Sequence, residues 1–162
     1  MSVMVRGMTE KEYEEFCRMS IAHHVAELME ECAMPQDDAI IQAKIEFAGM
    51  LPDGLNTKNH HLMTIVEEGN KEVVGFIWTI HEYTDGLKQS FVCDFVILDS
   101  KRRNGYAAAT LSLTEKMALE AGCLESVLYV AENNYPAKAL YRKCGYQFFR
   151  QMEYGHYMKK QL

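Results

Sequence analysis

The residues best suited to chemistry lie in and around one hexapeptide, Arg102-Arg103-Asn104-Gly105-Tyr106-Ala107. Phe91–Leu98 before it is rich in β-branched and aromatic residues and reads as a strand. After it, Ala107, Ala108, Leu111, Met117, Ala118 and Ala121 recur at helical spacing, and Gly122 is placed to end that helix. The free amides of a helix's first turn point outward, and the macrodipole adds partial positive charge there. Arg102 and Arg103 add formal charge, and Gly105 lacks the side chain that would hold a phosphate off the backbone. This combination predicts a diphosphate site. Taken alone, the same loop also fits an ordinary solvated connection.

Other chemistries find less support. The six histidines fall as His23-His24, His60-His61, His81 and His156, with no His-x-x-x-His pair. Adjacent histidines share no helical or strand face, so no metal site is expected. Neither Gly-x-x-x-x-Gly-Lys-[Ser/Thr] nor Gly-x-Gly-x-x-Gly occurs, which argues against nucleoside triphosphates and dinucleotides. Five scattered cysteines without Cys-x-x-Cys predict free thiols. Cys93 and Cys144 stand in apolar or helical contexts that suit the core better than a nucleophile. A net charge of −6 argues against nucleic acid as a partner and is compatible with a cationic amine.

The hexapeptide resembles the [Gln/Arg]-x-x-Gly-x-[Gly/Ala] loop with which the GNAT family of N-acetyltransferases holds the pyrophosphate of acetyl-CoA. A second stretch strengthens the resemblance: Asn134-Tyr135-Pro136-Ala137 leads into Ala139-Leu140-Tyr141-Arg142-Lys143-Cys144-Gly145-Tyr146. That segment is similar to the family's Asn-x-x-Ala-x-x-Leu-Tyr-x-x-x-Gly-[Phe/Tyr]. Val74–Trp78 and Leu51–Leu55 also resemble family segments, so the match runs from about residue 50 to 146. Arg103 and Asn104 depart from it, standing where the family often carries Gly and Lys.

The resemblance implies acetyl transfer from acetyl-CoA to a primary amine by direct attack, on a small molecule, peptide or protein. Arg102 to Ala108, including Arg103, Asn104, Gly105, Tyr106 and Ala107, would cradle the pyrophosphate. Val96, Ile97 and Leu98, on a splayed central strand, would offer backbone groups to the pantetheine and thioester. Asn134 and Ala137 would hold the pantetheine arm, and Tyr141 would act as the acid for the departing thiolate. The base must strip a proton from an amine largely charged at neutral pH; Asp94, acting through a water, is assigned that role, with Glu82 in reserve. Each residue also has a plainer reading: Tyr141 as a packed ring, Asn134 as a turn residue, Asp94 as half of a salt bridge. A silent acyl-CoA-binding module, a longer acyl chain and a hydroxyl acceptor stay open, as does a homodimer.

These residues need a scaffold. At 162 residues, 48% apolar and 25% charged, the chain is expected to form one domain spanning 1–162. The lack of a long apolar run or signal peptide predicts a cytoplasmic protein without membrane attachment. Val3–Met8 reads as a strand. A helix begins at Thr9, whose spacing to Glu12 is that of a capping box, and carries an apolar stripe through Tyr13, Phe16, Met19 or Ser20, His23 or His24, and Leu28. It breaks near Met34-Pro35, and Pro35 suits the first turn of a second helix through Ala39, Ala43 and Phe47 to about Met50. The resemblance implies that these helices wall the acceptor site. A meander of strands follows over Leu62–Glu67, Glu72–Tyr83 and Ser90–Leu98, with turns at Pro52-Asp53-Gly54, Glu68-Gly69-Asn70 and Thr84-Asp85-Gly86. A strand over Leu124–Val130, a helix over Pro136–Cys144 and a hairpin over Tyr146–Met158 complete the chain. This order predicts an α/β fold with a mixed sheet; the resemblance makes it mostly antiparallel and flanked by helices.

Overall fold

The computed structural model describes residues 2–162, in two compact units. The first unit, residues 2–7 with 61–162, carries the sheet. Its strands are β1 (Val3–Gly7), β2 (His60–Glu67), β3 (Val73–Thr84), β4 (Leu87–Ile97), β5 (Glu125–Ala131), β6 (Gln147–Gln151) and β7 (Gly155–Gln161). Their spatial order is β1-β2-β3-β4-β5-β7-β6, so β7 inserts between β5 and β6. β4 and β5 run parallel, joined by helix α3 (Tyr106–Glu120); β1–β2, β3–β4, β5–β7 and β6–β7 are antiparallel. The expected α/β, mostly antiparallel architecture holds. The last strand runs three residues beyond the expected Met158, to Gln161.

The β3–β4 hairpin turns on Asp85 and Gly86 alone, with φ of +53° and +80°, the paired positive values of a tight two-residue hairpin. Val92, Leu128, Val130, Met158 and Tyr146 form a core with Phe95, Ile97, Ala137 and Tyr141 packed on it. Beneath lies a polar clamp. The Tyr146 hydroxyl lies 2.7 Å from Ser126 Oγ and 2.9 Å from Glu115 Oε1, while Lys160 Nζ donates to Glu115 Oε2 at 2.6 Å. Buried polar groups must be paired; this pairing ties α3 to β5, β7 and the chain following α4 (Tyr135–Lys143).

The second unit, residues 8–60, is a helix pair. α1 (Glu10–Glu31) begins at the expected capping box: Glu12 N–H donates to Thr9 Oγ1 and Thr9 N–H to Glu12 Oε2, both at 3.2 Å. Of the expected stripe, Phe16 alone is fully buried, its ring 6.3 Å from Phe47 of α2 (Gln36–Met50). Pro35 is the residue before α2 rather than part of its first turn; its carbonyl accepts from Ala39 N–H. His24 Nε2 bonds Glu46 across the pair, and His23 Nε2 lies 3.0 Å from Glu27. Of these two histidines, His24 bridges the helix pair and His23 braces α1 along its own surface. Among the described residues no helix is long and apolar enough to cross a membrane.

Candidate active site

The parallel pairing of β4 with β5 is short. It covers Gln89–Val92 against Glu125–Leu128 and stops there, although β4 continues to Ile97 and β5 to Ala131. Beyond Val92 and Leu128 the strands leave a gap. Leu98 N–H donates to Val74 O of β3 at 2.9 Å. Hydrogen-bonding directions alternate along an antiparallel strand, so the N–H and C=O of Ile97 face the open side. Arg102 Nε donates to that Ile97 carbonyl at 3.3 Å.

A cavity of about 460 Å³ fills the mouth of this gap, within the range of small-molecule sites. Its walls are Phe95–Ile97 of β4, the loop and first turn of α3, and the start and inner face of α4. The Ala109 amide takes the Gly105 carbonyl at 3.2 Å, so the amides of Tyr106, Ala107 and Ala108 ahead of it have no intrahelical acceptor. Gly105 caps the helix at φ +78°, and a Cβ built on it meets nothing within 4 Å. The glycine thus provides both a left-handed bend and open space beside the amides. Arg103 shares the left-handed region at φ +62°. Arg102 also reaches Asp99, N to Oδ1 2.8 Å, and Lys101 pairs with Glu72. The result is an anion cradle at a helix N-terminus, flanked by three cationic side chains.

The expected residues mostly come together here. Val96, Ile97, Arg102, Arg103, Gly105, Tyr106, Ala107, Ala108, Asn134, Ala137 and Tyr141 all line the cavity. Leu98 and Asn104 do not. The Leu98 amide is committed to β3, and Asn104 Nδ2 donates to the carbonyls of Lys101 and Arg102 at 3.1 Å each, bracing the loop from behind. Tyr106 offers its backbone rather than its hydroxyl, which donates to Glu67 Oε2 at 2.8 Å and holds α3 to β2. Lys101, Phe95, Pro136 and Leu140 also line the cavity. Lys101 stands one residue outside the hexapeptide and could have been found by its charge alone.

Asn134 takes the turn position expected of it and also borders the cavity. Its Oδ1 accepts from Ala137 N–H at 3.3 Å as the N-cap of α4. Tyr141, on the next two turns, packs its ring 6.0 Å from that of Tyr146. Its phenol is pushed up to about 12, first by burial and then by the negative charge of Asp94 and by Cys144. It therefore stays protonated across the neutral range.

Asp94 owes its position to a bulge. Trp78 pairs with Asp94 and Thr79 with Val92, leaving Cys93 as an extra residue in β4. Plain alternation would put Asp94 on the same core face as Val92. Instead Val92, Phe95 and Ile97 share the core, and the extra residue turns Asp94 to the opposite face, with Phe91. Asp94 Oδ1 accepts from Phe95 N–H at 2.8 Å, which answers the cost of a carboxylate in an apolar strand. Asp94 borders the cavity from outside rather than lining it. Glu82 is exposed and pairs in register with Gln89. Both carboxylates, after burial, push the Cys93 thiol up, so this cysteine is held as an inert thiol.

Known proteins resemble this chain in sequence and fold. The model of the Acetyltransferase (GNAT) family matches residues 20–146. An uncharacterized N-acetyltransferase of Bacillus subtilis, YycN, is 28% identical over 147 residues, covering 91% of this chain and 94% of its own. The crystal structure of YycN superposes with a TM-score of 0.85 at 26% identity, over 93% of this chain and 96% of that one. The PaiA N-acetyltransferase of Thermoplasma acidophilum, solved in complex with coenzyme A, shares the fold at a TM-score of 0.72 and 13% identity, each chain fully covered. With the family's model spanning most of the sequence, this chain belongs to the GNAT family of acetyltransferases.

Proposed function

We propose that this protein is an acetyl-CoA-dependent N-acetyltransferase, acting in the cytoplasm as one domain over residues 1–162, that acetylates a primary amine by direct attack. The observation that carries the reading is the single cavity wall running from the amides of Tyr106–Ala108 to the open edge of β4 at Ile97. An anion site at one end and a free strand edge at the other suit a ligand with a diphosphate and an amide-bearing arm. Open space at Gly105 and the PaiA complex with coenzyme A support the same ligand.

Arg102, Arg103, Lys101 and the α3 amides would hold the diphosphate, and the β4 edge with Asn134 the arm. The bound group supplies an activated acetyl thioester. The chain's own residues handle the protons. Asp94, on the face opposite the core, takes a proton from the acceptor ammonium through a water, leaving the amine lone pair free to attack. Tyr141, kept protonated by its burial, would give its proton to the sulfur that departs as the C–S bond breaks. No cysteine is needed, which suits the inert state of Cys93.

The test is a melting curve. A ligand at about a hundred times its Kd stabilises a fold by about 2.7 kcal/mol, so acetyl-CoA should raise Tm while NAD and ATP leave it unchanged. No shift with CoA sinks the reading. Free-thiol release across a panel of amines then separates an enzyme from a silent binding module.

A further inference from the structure

On the face of the sheet opposite α3 and α4, four aromatic rings form a row, one from each of four strands. Phe91 of β4 lies 6.1 Å from Tyr157 of β7, Tyr129 of β5 lies 5.5 Å from Tyr157, and Phe149 of β6 lies 6.0 Å from it. The row is open to ligand: Tyr129 is 39% and Phe149 41% exposed. Its position relates it to the cavity. Tyr129 is the first residue of β5 past its last pairing with β4, so it stands on the lip of the strand gap. The bulge at Cys93 brings Asp94 to this same face.

The row has two chemically different ends. Near the gap stands the carboxylate of Asp94. At the far end Lys159 Nζ already sits 5.0 Å over the Phe149 ring and 3.7 Å from Glu125 Oε1. One cation fits the acidic end. A second cation on the same ligand would arrive where Lys159 stands, and like charges at that distance repel. Between the ends lie the four rings, tilted or edge-on to Tyr157, an apolar stretch that favours a flat apolar body.

We propose that Phe91, Tyr129 and Tyr157 form the acceptor floor, and that it selects a primary amine on an aromatic body carrying no second cation. This rests on the acetyl-transfer reading above. In the reaction the amine nitrogen, relieved of a proton by Asp94, bonds to the acetyl carbon as the C–S bond breaks and the sulfur takes up a proton. The aromatic body fixes only where that nitrogen waits.

The experiment compares 2-phenylethylamine, n-butylamine and spermidine as acceptors for the full chain, reading thiol release. It is paired with calorimetric binding of each amine to the CoA-loaded protein. The expected order is phenylethylamine first, by at least about fivefold in kcat/KM over butylamine, the scale of one aromatic contact. Tyr129→Leu, at an exposed position, should raise the phenylethylamine KM about five- to tenfold while the acetyl-CoA KM stays put. Lys159→Gln should raise turnover of spermidine. Spermidine preferred by the unmodified protein overturns the proposal, as does an unchanged phenylethylamine KM in folded Tyr129→Leu. If nothing turns over, failure of phenylethylamine to bind the CoA-loaded protein overturns it too. Loss of the CoA melting shift itself is a different failure, that of the transferase reading.

Discussion

Replacing Tyr141 with Phe keeps the ring against Tyr146 and deletes one proton. The size of the effect is set by the phenol's environment. Burial and Asp94 push it up to about 12, whereas a free thiol titrates near ~8.5. Full transfer of that proton to a solvated thiolate would be uphill by roughly 3.5 pK units, or about 5 kcal/mol. Tyr141 therefore cannot act by protonating a finished thiolate in water. It can donate as charge builds on a sulfur that the same burial makes more basic, as burial does for the Cys93 thiol on the neighbouring strand. The expected loss in kcat is consequently near the lower end for general acids, about 10²-fold. The KM for acetyl-CoA should barely move, because the group acts after binding. The pH profile carries a second signature. A phenol near 12 leaves the high-pH side of the unmodified enzyme flat through pH 10. The assay is thiol release in single turnover with the best acceptor of the panel, where chemistry and product release separate. A high-pH limb near 10 that vanishes in Tyr141→Phe would refute the raised phenol. Full single-turnover activity in the folded variant would reduce Tyr141 to packing.

Two further outcomes follow from the same structure. Gly105→Val should weaken acetyl-CoA binding more than tenfold, since the added carbons enter open space beside the α3 amides, and should cost about 1–2 kcal/mol in backbone strain at φ +78°. Gly86→Val, at φ +80° with nothing within 4 Å, carries the same strain outside the cavity, so an equal loss of CoA affinity there would remove the phosphate explanation. Alkaline stability should also change with Tyr141. Its folded value, about 12, lies above the unfolded value near ~10, so its contribution is complete below pH 10 and is lost as pH rises through 12. That amounts to at most about 3 kcal/mol for so buried a group. Tyr141→Phe should flatten the fall in Tm over that window, and an unchanged slope counts against the shift.

Local features were legible in the sequence because short-range chemistry dictates them. The Thr9–Glu12 box, the Asp85-Gly86 turn and the strand–loop–helix around Gly105 each formed where their residues required. The cavity wall followed, since its parts lie close together in the chain or in recognisable segments. What could not be read was set by partners distant in sequence. The short β4–β5 pairing depends on Glu125–Leu128, and the insertion of β7 beside β5 depends on the 23 residues between those two strands. Leu98 looked like a cavity residue until Val74 claimed its amide, and Asn104 until two loop carbonyls claimed its side chain. Neither hydrogen bond has a signature in the residues themselves.

The bulge at Cys93 is the clearest case, because one residue decides which face of the sheet carries the carboxylate. In unbroken alternation Asp94 would follow Val92 into the core, where an unpaired carboxylate costs several kcal/mol. The extra residue prevents this and brings Asp94, Phe91 and the lip of the strand gap to one face. The identity of residue 93 should then matter little, because it is the one residue outside the ladder. Cys93→Ala keeps the register, so it should retain turnover and lose no more than a small side chain's packing, within about 2 kcal/mol. Deleting Cys93 makes Val92 and Asp94 neighbours in a regular ladder, which leaves Asp94 opposite Trp78 and keeps Phe95 and Ile97 in the core. Both variants should therefore keep the core face intact, and denaturant unfolding with thiol release on both proteins checks it. A deletion variant that loses turnover and more than about 3 kcal/mol, while Cys93→Ala keeps both, would show that alternation from Val92 does not place Asp94, and the assignment of that carboxylate as the base would lose its structural reason.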